Sequence, residues 1–218
     1  MTRLALATER APSSVFSDPT PALRILDGLA RRIAAGHRQP LARAVGLHKT
    51  RNLSVCDATA GWGLDGLVLA ALGARVTLVE RRSAVAQALR TSVQRLQDEP
   101  RLRETLMRLE LIEADARTVL GGARHWDVVY LDPMYPQTRR RALPGKALQT
   151  LRALAGEDAD ADALLAPALA SARRRVVVKR PRRAPPLADR APDFQVRATQ
   201  LRFDVYLKLH AGDGPCAD

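Results

Sequence analysis

The residues most suited to chemistry are Leu131-Asp132-Pro133-Met134-Tyr135-Pro136, which follow the apolar run Val128 to Leu131. A carboxylate, a carbonyl held by proline and an aromatic ring, adjacent in one loop, suit the exocyclic amine of a base. That nitrogen is planar and conjugated, so its lone pair is a poor nucleophile. Asp132 and the carbonyl of Pro133 can accept hydrogen bonds from the amine, hold it in line with an electrophile and stabilise positive charge growing on nitrogen. The prolines limit backbone freedom and fix the carbonyl direction. Tyr135 can stack on a base drawn out of its helix. Asp132, Pro133 and Tyr135 are therefore the catalytic candidates, against the plainer reading of an Asp-Pro turn capped by an aromatic.

A second constellation lies upstream, in Asp57-Ala58-Thr59-Ala60-Gly61-Trp62-Gly63-Leu64-Asp65-Gly66. It contains G-x-G-x-x-G, and Glu80 follows nineteen residues after Gly61. Glycines at such a turn let the backbone approach a ligand, and an acid at the end of the next strand can accept both ribose hydroxyls. The pattern points to an adenosine-containing cofactor. NAD(P) and S-adenosylmethionine both satisfy it, and Asp57 helps to separate them. A pyrophosphate repels a carboxylate beside it, whereas a sulfonium and an α-ammonium attract one. Asp57 and Asp65 can serve the methionine end, with Gly61 and Gly63 shaping the turn. Asp115 stands where it can accept from the adenine amine; its alternative role is N-cap of the next short helix.

The elements that position these residues alternate. Leu53 to Ala58 reads as a strand, Leu64 to Leu72 as a helix closed by Gly73, and Arg75 to Glu80 as a strand with β-branched residues. A helix runs from an N-cap at Ser83 to about Gln97, before Pro100. Strands follow at Leu109 to Glu113, Val128 to Leu131 and Arg175 to Lys179. Helical stretches separate the last two, one with Leu148, Leu151 and Leu154 and one from Asp160 to about Ala172. The last strands, Phe194 to Thr199 and Phe203 to Leu209, are joined too closely for a helical crossover and form an antiparallel hairpin. The expected fold is α/β: a seven-stranded, mostly parallel, doubly wound sheet with a C-terminal antiparallel hairpin. Residues 1–50 read as an N-terminal arm with two short helices broken at Gly36 and Pro40, 51–210 as the main domain, and 211–218 as a tail.

At 218 residues the chain is long enough for one large core, and 46% of it is apolar. No apolar run approaches the roughly 18 residues of a membrane span, and the N-terminus lacks the apolar block of a signal peptide. Cys56 and Cys216 are the only cysteines, so neither a disulfide framework nor a metal site is expected, and a reducing cytoplasm fits. The net charge of +12 favours a polyanionic partner, although only four of the basic residues are lysines, which compositional bias towards arginine also explains.

With these residues in hand the chain resembles the bacterial small-subunit ribosomal RNA guanine-N2 methyltransferase J family, within the Rossmann-like class I methyltransferases. Asp132-Pro133-Met134-Tyr135 is similar to the D-P-P-Y motif of amino-group methyltransferases, with Met134 in place of the second proline. The other carrying segments are Asp57 to Gly61, Leu78-Val79-Glu80-Arg81, Val176 to Pro181, and Arg202-Phe203-Asp204-Val205-Tyr206. The resemblance implies methyl transfer from S-adenosylmethionine to the N2 amine of a guanine in small-subunit RNA. It implies cofactor contacts at Leu64 and Asp65, Glu80 and Arg81, Asp115 and Ala116, and Asp132. It also suggests a monomer that works on a folded particle.

Among the basic clusters, Arg139, Arg140 and Arg141 follow the catalytic loop, and Lys179 and Arg180 end the fifth strand on the same edge. These five are the expected phosphate contacts. Arg173 to Arg175 lie at the opposite strand end and read as solvated surface. Three rival readings stand beside this one. An amino-methyltransferase acting on another base or a protein glutamine shares the D-P-x-Y motif, although an adenine-modifying enzyme would need a target-recognition block that the chain does not leave room for. An NAD(P)-dependent oxidoreductase lacks a well-placed histidine. A non-catalytic RNA-binding protein would not need Asp132-Pro133-Met134-Tyr135.

Overall fold

A computed structural model describes residues 29–133 and 161–208. The described part of helix α1 covers 29–34. Helix α2, Pro40–Val45, begins on a proline, whose missing N–H costs nothing in a first turn. It ends at Gly46, φ 96°.

Strand β1 is Ser54–Asp57, β2 Arg75–Glu80, β3 Leu109–Glu113, β4 Trp126–Leu131, β5 Ala172–Pro181, β6 Phe194–Arg197 and β7 Leu201–Leu207. They form one sheet in the order β3-β2-β1-β4-β5-β7-β6. The β1–β2, β2–β3, β1–β4 and β4–β5 pairs are parallel, and β7 runs antiparallel to both β5 and β6. The expected doubly wound sheet with its closing hairpin is what forms.

Helix α3, Leu64–Ala71, returns the chain from β1 to β2. Gly73 N–H donates to Ala70 O at 2.9 Å and Ala74 N–H to Leu69 O at 3.0 Å. This Schellman closure needs the left-handed conformation of Gly73, φ +98°. Helices α4 (Ser83–Leu96), α5 (Arg103–Met107), α6 (Ala116–Leu120) and α7 (Leu165–Ser171) complete the winding. Ser83 is the first helical residue of α4 rather than its cap; the cap position is Arg82, with no side-chain bond to the helix. The fifth strand is longer than expected: pairing with β4 begins at Ala172, opposite Trp126, and pairing with β7 carries it on through Arg180 to Pro181.

Successive residues of a strand point to opposite faces, and a parallel sheet wound on both sides buries both. Val55, Val128, Tyr130 and Val177 enter one apolar cluster with Leu67, Leu69 and Val205. Cys56, Val129, Leu131, Val176 and Val178 enter the other, with Leu165, Ala168 and Tyr206. The Cys56 thiol is sealed in that second cluster, and burial pushes its pKa up and away from reactivity. Cys216 and the stretch from Leu148 to Leu154 lie outside the described residues.

Candidate active site

β1 and β4 are neighbours at the point where the strand order reverses, which is where a sheet of this kind forms its ligand crevice, beyond the carboxyl ends of the strands. Asp57 is the last residue of β1, and Asp132 directly follows β4. Their loops are tied together. Ala58 N–H donates to Tyr130 O at 3.0 Å, and Asp132 N–H donates to Thr59 Oγ1 at 2.6 Å.

The glycines of the first loop have distinct physical roles. Gly61 and Gly63 take φ of 53° and 72°, where a side chain would be strained. Gly66 has ordinary helical backbone, but a Cβ there would lie 2.3 Å from Leu78 Cδ2. It is the contact point that lets α3 lie against β2. Glu80 closes the loop from the other side. Its Oε2 accepts Gly61 N–H at 3.0 Å and its Oε1 accepts Arg82 N–H at 2.9 Å. Gly61 and Glu80, nineteen residues apart, are therefore joined directly.

Behind this loop stands a network of charges. Lys179, on β5, donates to Asp65 Oδ2 at 2.9 Å and to Asp132 Oδ2 at 2.8 Å. Asp65 also accepts from the Tyr130 hydroxyl at 2.6 Å and pairs with Arg32 from α1. Burial opposes ionisation of Asp65, but Lys179 and Arg32 outweigh it and hold the carboxyl well below the usual range. Asp57 is fully buried beside Asp65, with a backbone N–H from Thr59 at 3.3 Å. Burial and the Asp65 charge push its pKa well up. Burial also raises Asp132, with Lys179 working in the opposite direction. Lys179 itself rises, because the two carboxylates outweigh its burial. When all are ionised, the three aspartates face two cations, Arg32 and Lys179. In that state the crevice carries one uncompensated negative charge, which a bound cation would stabilise by favouring ionised Asp57.

An S-adenosylmethionine cation fits this donor set. The excess negative charge suits its methionine end, and Glu80, whose oxygens are fixed by two backbone donors, suits a ribose. Leu64 and Asp65 open α3 at the rim of the same loop, and Arg81 is exposed beside Glu80. Asp115 is the N-cap of α6: it accepts Arg117 N–H at 2.8 Å and takes both Arg117 Nε and Nη2, at 3.1 and 2.7 Å. The Arg117 guanidinium holds this carboxyl at about 2. The capping role weighed from the sequence is thus present, with Ala116 buried behind it at the start of the helix.

Two of the expected phosphate contacts stand elsewhere than on an open surface. Lys179 turns into the crevice between two carboxylates. Arg180 is 3% exposed, and its Nε and Nη2 donate to Pro185 O at 3.0 and 2.8 Å. Tyr135 and Arg139 to Arg141 lie outside the described residues, and Pro133 is the last described residue of the loop after β4. Sequence reasoning missed Thr59, Tyr130 and Arg32 as members of the network. Tyr130 had a signal in its position two residues before Asp132, on the opposite face of β4 from Leu131. Arg32 had none.

The family model for SAM-dependent methyltransferases, SAM_MT, matches residues 26–208. A protein named ribosomal RNA small subunit methyltransferase J from Thioalkalivibrio sulfidiphilus is 42% identical over 233 aligned residues, covering 93% of this chain and 91% of that one. The protein of the same name from Alkalilimnicola ehrlichii is 46% identical over 213, covering 92% and 79%. Among solved structures, the SAM-dependent methyltransferase NGO1261 from Neisseria gonorrhoeae is 34% identical with a TM-score of 0.66, covering 94% of this chain and 78% of that one. A 16S rRNA N2 G1207 methyltransferase from T. thermophilus shares the fold at 19% identity and a TM-score of 0.51, covering 90% and 45%.

Proposed function

The chain belongs to the ribosomal RNA small subunit methyltransferase J family of SAM-dependent methyltransferases, and from that membership we propose that it methylates the exocyclic N2 amine of a guanine in 16S ribosomal RNA. The observation that carries the reading is the Asp132–Lys179–Asp65 bridge at the carboxyl ends of β4 and β5, next to the glycine loop and Glu80.

Bound S-adenosylmethionine supplies a methyl group on a sulfonium, open to attack by nitrogen. The protein's residues do the rest. Asp57 and Asp65 attract the cationic methionine end, Glu80 receives the ribose hydroxyls, and Leu64, Arg81, Asp115 and Ala116 border the adenosine. Lys179 holds Asp132 Oδ2, which leaves Oδ1 and the carbonyl of Pro133 to accept the two amine hydrogens. Those bonds strengthen as the nitrogen becomes positive, so they favour the transition state over the bound substrate. Asp132, whose pKa partial burial raises and Lys179 lowers, is the proposed acceptor for the departing proton. Tyr135 completes the pocket by stacking on the base, and Arg139 to Arg141 contact RNA phosphates. Asp115 contributes its cap to α6 and its acceptor to the adenine amine.

The RNA partner follows from the family and agrees with the +12 net charge. No helix among the described residues is long and apolar enough to cross a membrane. We infer that the enzyme acts as a monomer in the cytoplasm, on small ribosomal subunits.

The test is transfer of labelled methyl from S-adenosylmethionine to small subunits taken from cells that lack the enzyme. Large subunits and duplex DNA serve as competing acceptors. Label confined to small-subunit RNA is the expected result. Label in DNA or in ribosomal protein would replace this substrate assignment.

A further inference from the structure

The loop that follows β5 is tied down more firmly than its exposure suggests. Three side chains hold its carbonyls. Arg202 Nη1 donates to Pro181 O at 3.0 Å and to Arg182 O at 2.9 Å. Arg180 holds Pro185 O through two donors, and the Tyr206 hydroxyl donates to Arg190 O at 2.9 Å. Arg202 is itself fixed by a bidentate pair with Asp204, at 2.7 and 3.0 Å, and both residues are buried, Asp204 completely. Leu187 anchors the far side of the loop in the core at 1% exposure. Next to it Ala188 is held at φ 51°, with its N–H on Asp162 Oδ1 at 2.8 Å.

A left-handed alanine and a buried ion pair are costly, and such features persist where the surroundings over-determine them. What they hold in place is the backbone under Arg182 and Arg183. Both side chains are exposed, and neither takes part in any ion pair recorded among the described residues. They lie three and four residues beyond Lys179, in the turn that ends β5, where Ala184 N–H donates to Pro181 O at 3.0 Å. Lys179 touches Asp132, so this turn leaves β5 at the same carboxyl edge of the sheet as the proposed methyl-transfer site. Of the acids in the same loop, Asp193 accepts Leu207 N–H at 2.7 Å.

We propose that Arg182 and Arg183 form a pre-positioned grip for backbone phosphates of the RNA strand next to the target base, with Arg202 and Asp204 as the positioning residues that hold it. They take the role that the engaged side chains of Lys179 and Arg180 do not fill. A fixed cation pair binds phosphate with less entropy loss than a mobile one, so it sets register as well as affinity. The proposal rests on the reading of the chain as an RNA methyltransferase.

The experiment compares wild type with the double variant Arg182→Ala/Arg183→Ala. A control, Arg173→Ala/Arg174→Ala, removes the same charge from the opposite edge of the sheet. Small-subunit binding is measured against salt concentration, alongside kcat, KM and calorimetric S-adenosylmethionine affinity. The grip variant should raise KM for subunits at least tenfold at physiological salt. It should lower the slope of log K against log salt by about 1.5, the share of two phosphate contacts. Its cofactor affinity and saturated kcat should match wild type, and the control should keep the wild-type slope. A folded Asp204→Asn protein should show the same KM rise with its arginines intact. If that variant fails to fold, the two exposed substitutions still decide. Unchanged KM and slope in the grip variant, or equal losses in grip and control, would overturn the grip. Absence of methyl transfer to RNA by wild type would instead overturn the functional reading beneath it.

Discussion

Lys179 Nζ lies 2.8 Å from Asp132 Oδ2, joining the end of β5 to the residue that follows β4. The same ammonium reaches Asp65 at 2.9 Å, so one lysine connects the loop proposed to hold the amine with the helix proposed to border the cofactor. Replacing Lys179 with Met keeps the length of the side chain and removes the charge. The loss expected in kcat is on the order of 10²–10³-fold, the scale seen when a pre-oriented electrostatic group is removed from an active site. The pH profile gives a second readout. Burial raises the pKa of Asp132 and Lys179 lowers it, so removing the cation moves the acid limb of the rate profile to higher pH. An acid limb that stays in place would show that Lys179 does not act through Asp132.

Asp57 predicts an opposition between stability and binding. Its pKa is raised in the folded state, so folding favours the protonated form. The stability this group contributes is complete below the ordinary carboxylate pKa and is lost as pH rises through the raised value. Asp57→Asn has no proton to lose. The variant should therefore be more stable than wild type at neutral pH, with a higher melting temperature. The gain should vanish near pH 4, where both forms are uncharged. Cofactor affinity should fall in the same variant. In wild type that affinity should rise with pH, because a cation next to Asp57 favours its ionised form. Equal melting temperatures across pH would contradict the burial argument.

Asp115 carries a cap and an ion pair, and the two can be separated. Asp115→Asn keeps a capping oxygen and an acceptor for an adenine amine, so stability and cofactor affinity should change little. Asp115→Ala should cost about 0.5–2 kcal/mol of stability. Its hydrogen-exchange protection should drop at Val119 and Gly121, whose N–H groups close the turns of α6. The alanine variant should also bind S-adenosylmethionine more weakly than the asparagine variant. Equal affinity in the two would remove Asp115 from the cofactor contacts.

Gly66 tests the packing of α3 on β2. A methyl group there meets Leu78 Cδ2 at 2.3 Å, inside a close-packed cluster. Gly66→Ala should destabilise the protein by about 1–3 kcal/mol in chemical denaturation, despite the better helix propensity of alanine. A neutral or stabilising change would mean that Leu78 has room to move.

Local patterns carried the fold. Arg75 to Glu80 could be read to the residue, because a β-branched run between Gly73 and Ser83 leaves little freedom at either end. The spacing of Gly61 and Glu80 was equally legible, since both ends of that contact sit at predictable turns. The charge network was not. Lys179 is 114 residues from Asp65 and 47 from Asp132, and it stands beside Arg180 in a run that reads as basic surface. Nothing local distinguishes a lysine that faces a phosphate from one that faces two carboxylates; the pairing of β4 with β5 decides it. Arg180 is similar, since its burial depends on a loop that folds back over it. The Arg202–Asp204 pair was visible only as part of a family motif, and its role in holding the loop after β5 emerges from the hairpin geometry.

The most direct test of the central claim identifies the methylated atom. Small subunits labelled by the enzyme would be digested to nucleosides and resolved against N2-methylguanosine, with Asp132→Ala as the paired control. The account predicts a single labelled nucleoside, N2-methylguanosine, that disappears with Asp132→Ala even at saturating S-adenosylmethionine. Label in a different nucleoside, or undiminished N2-methylguanosine from the variant, would contradict it.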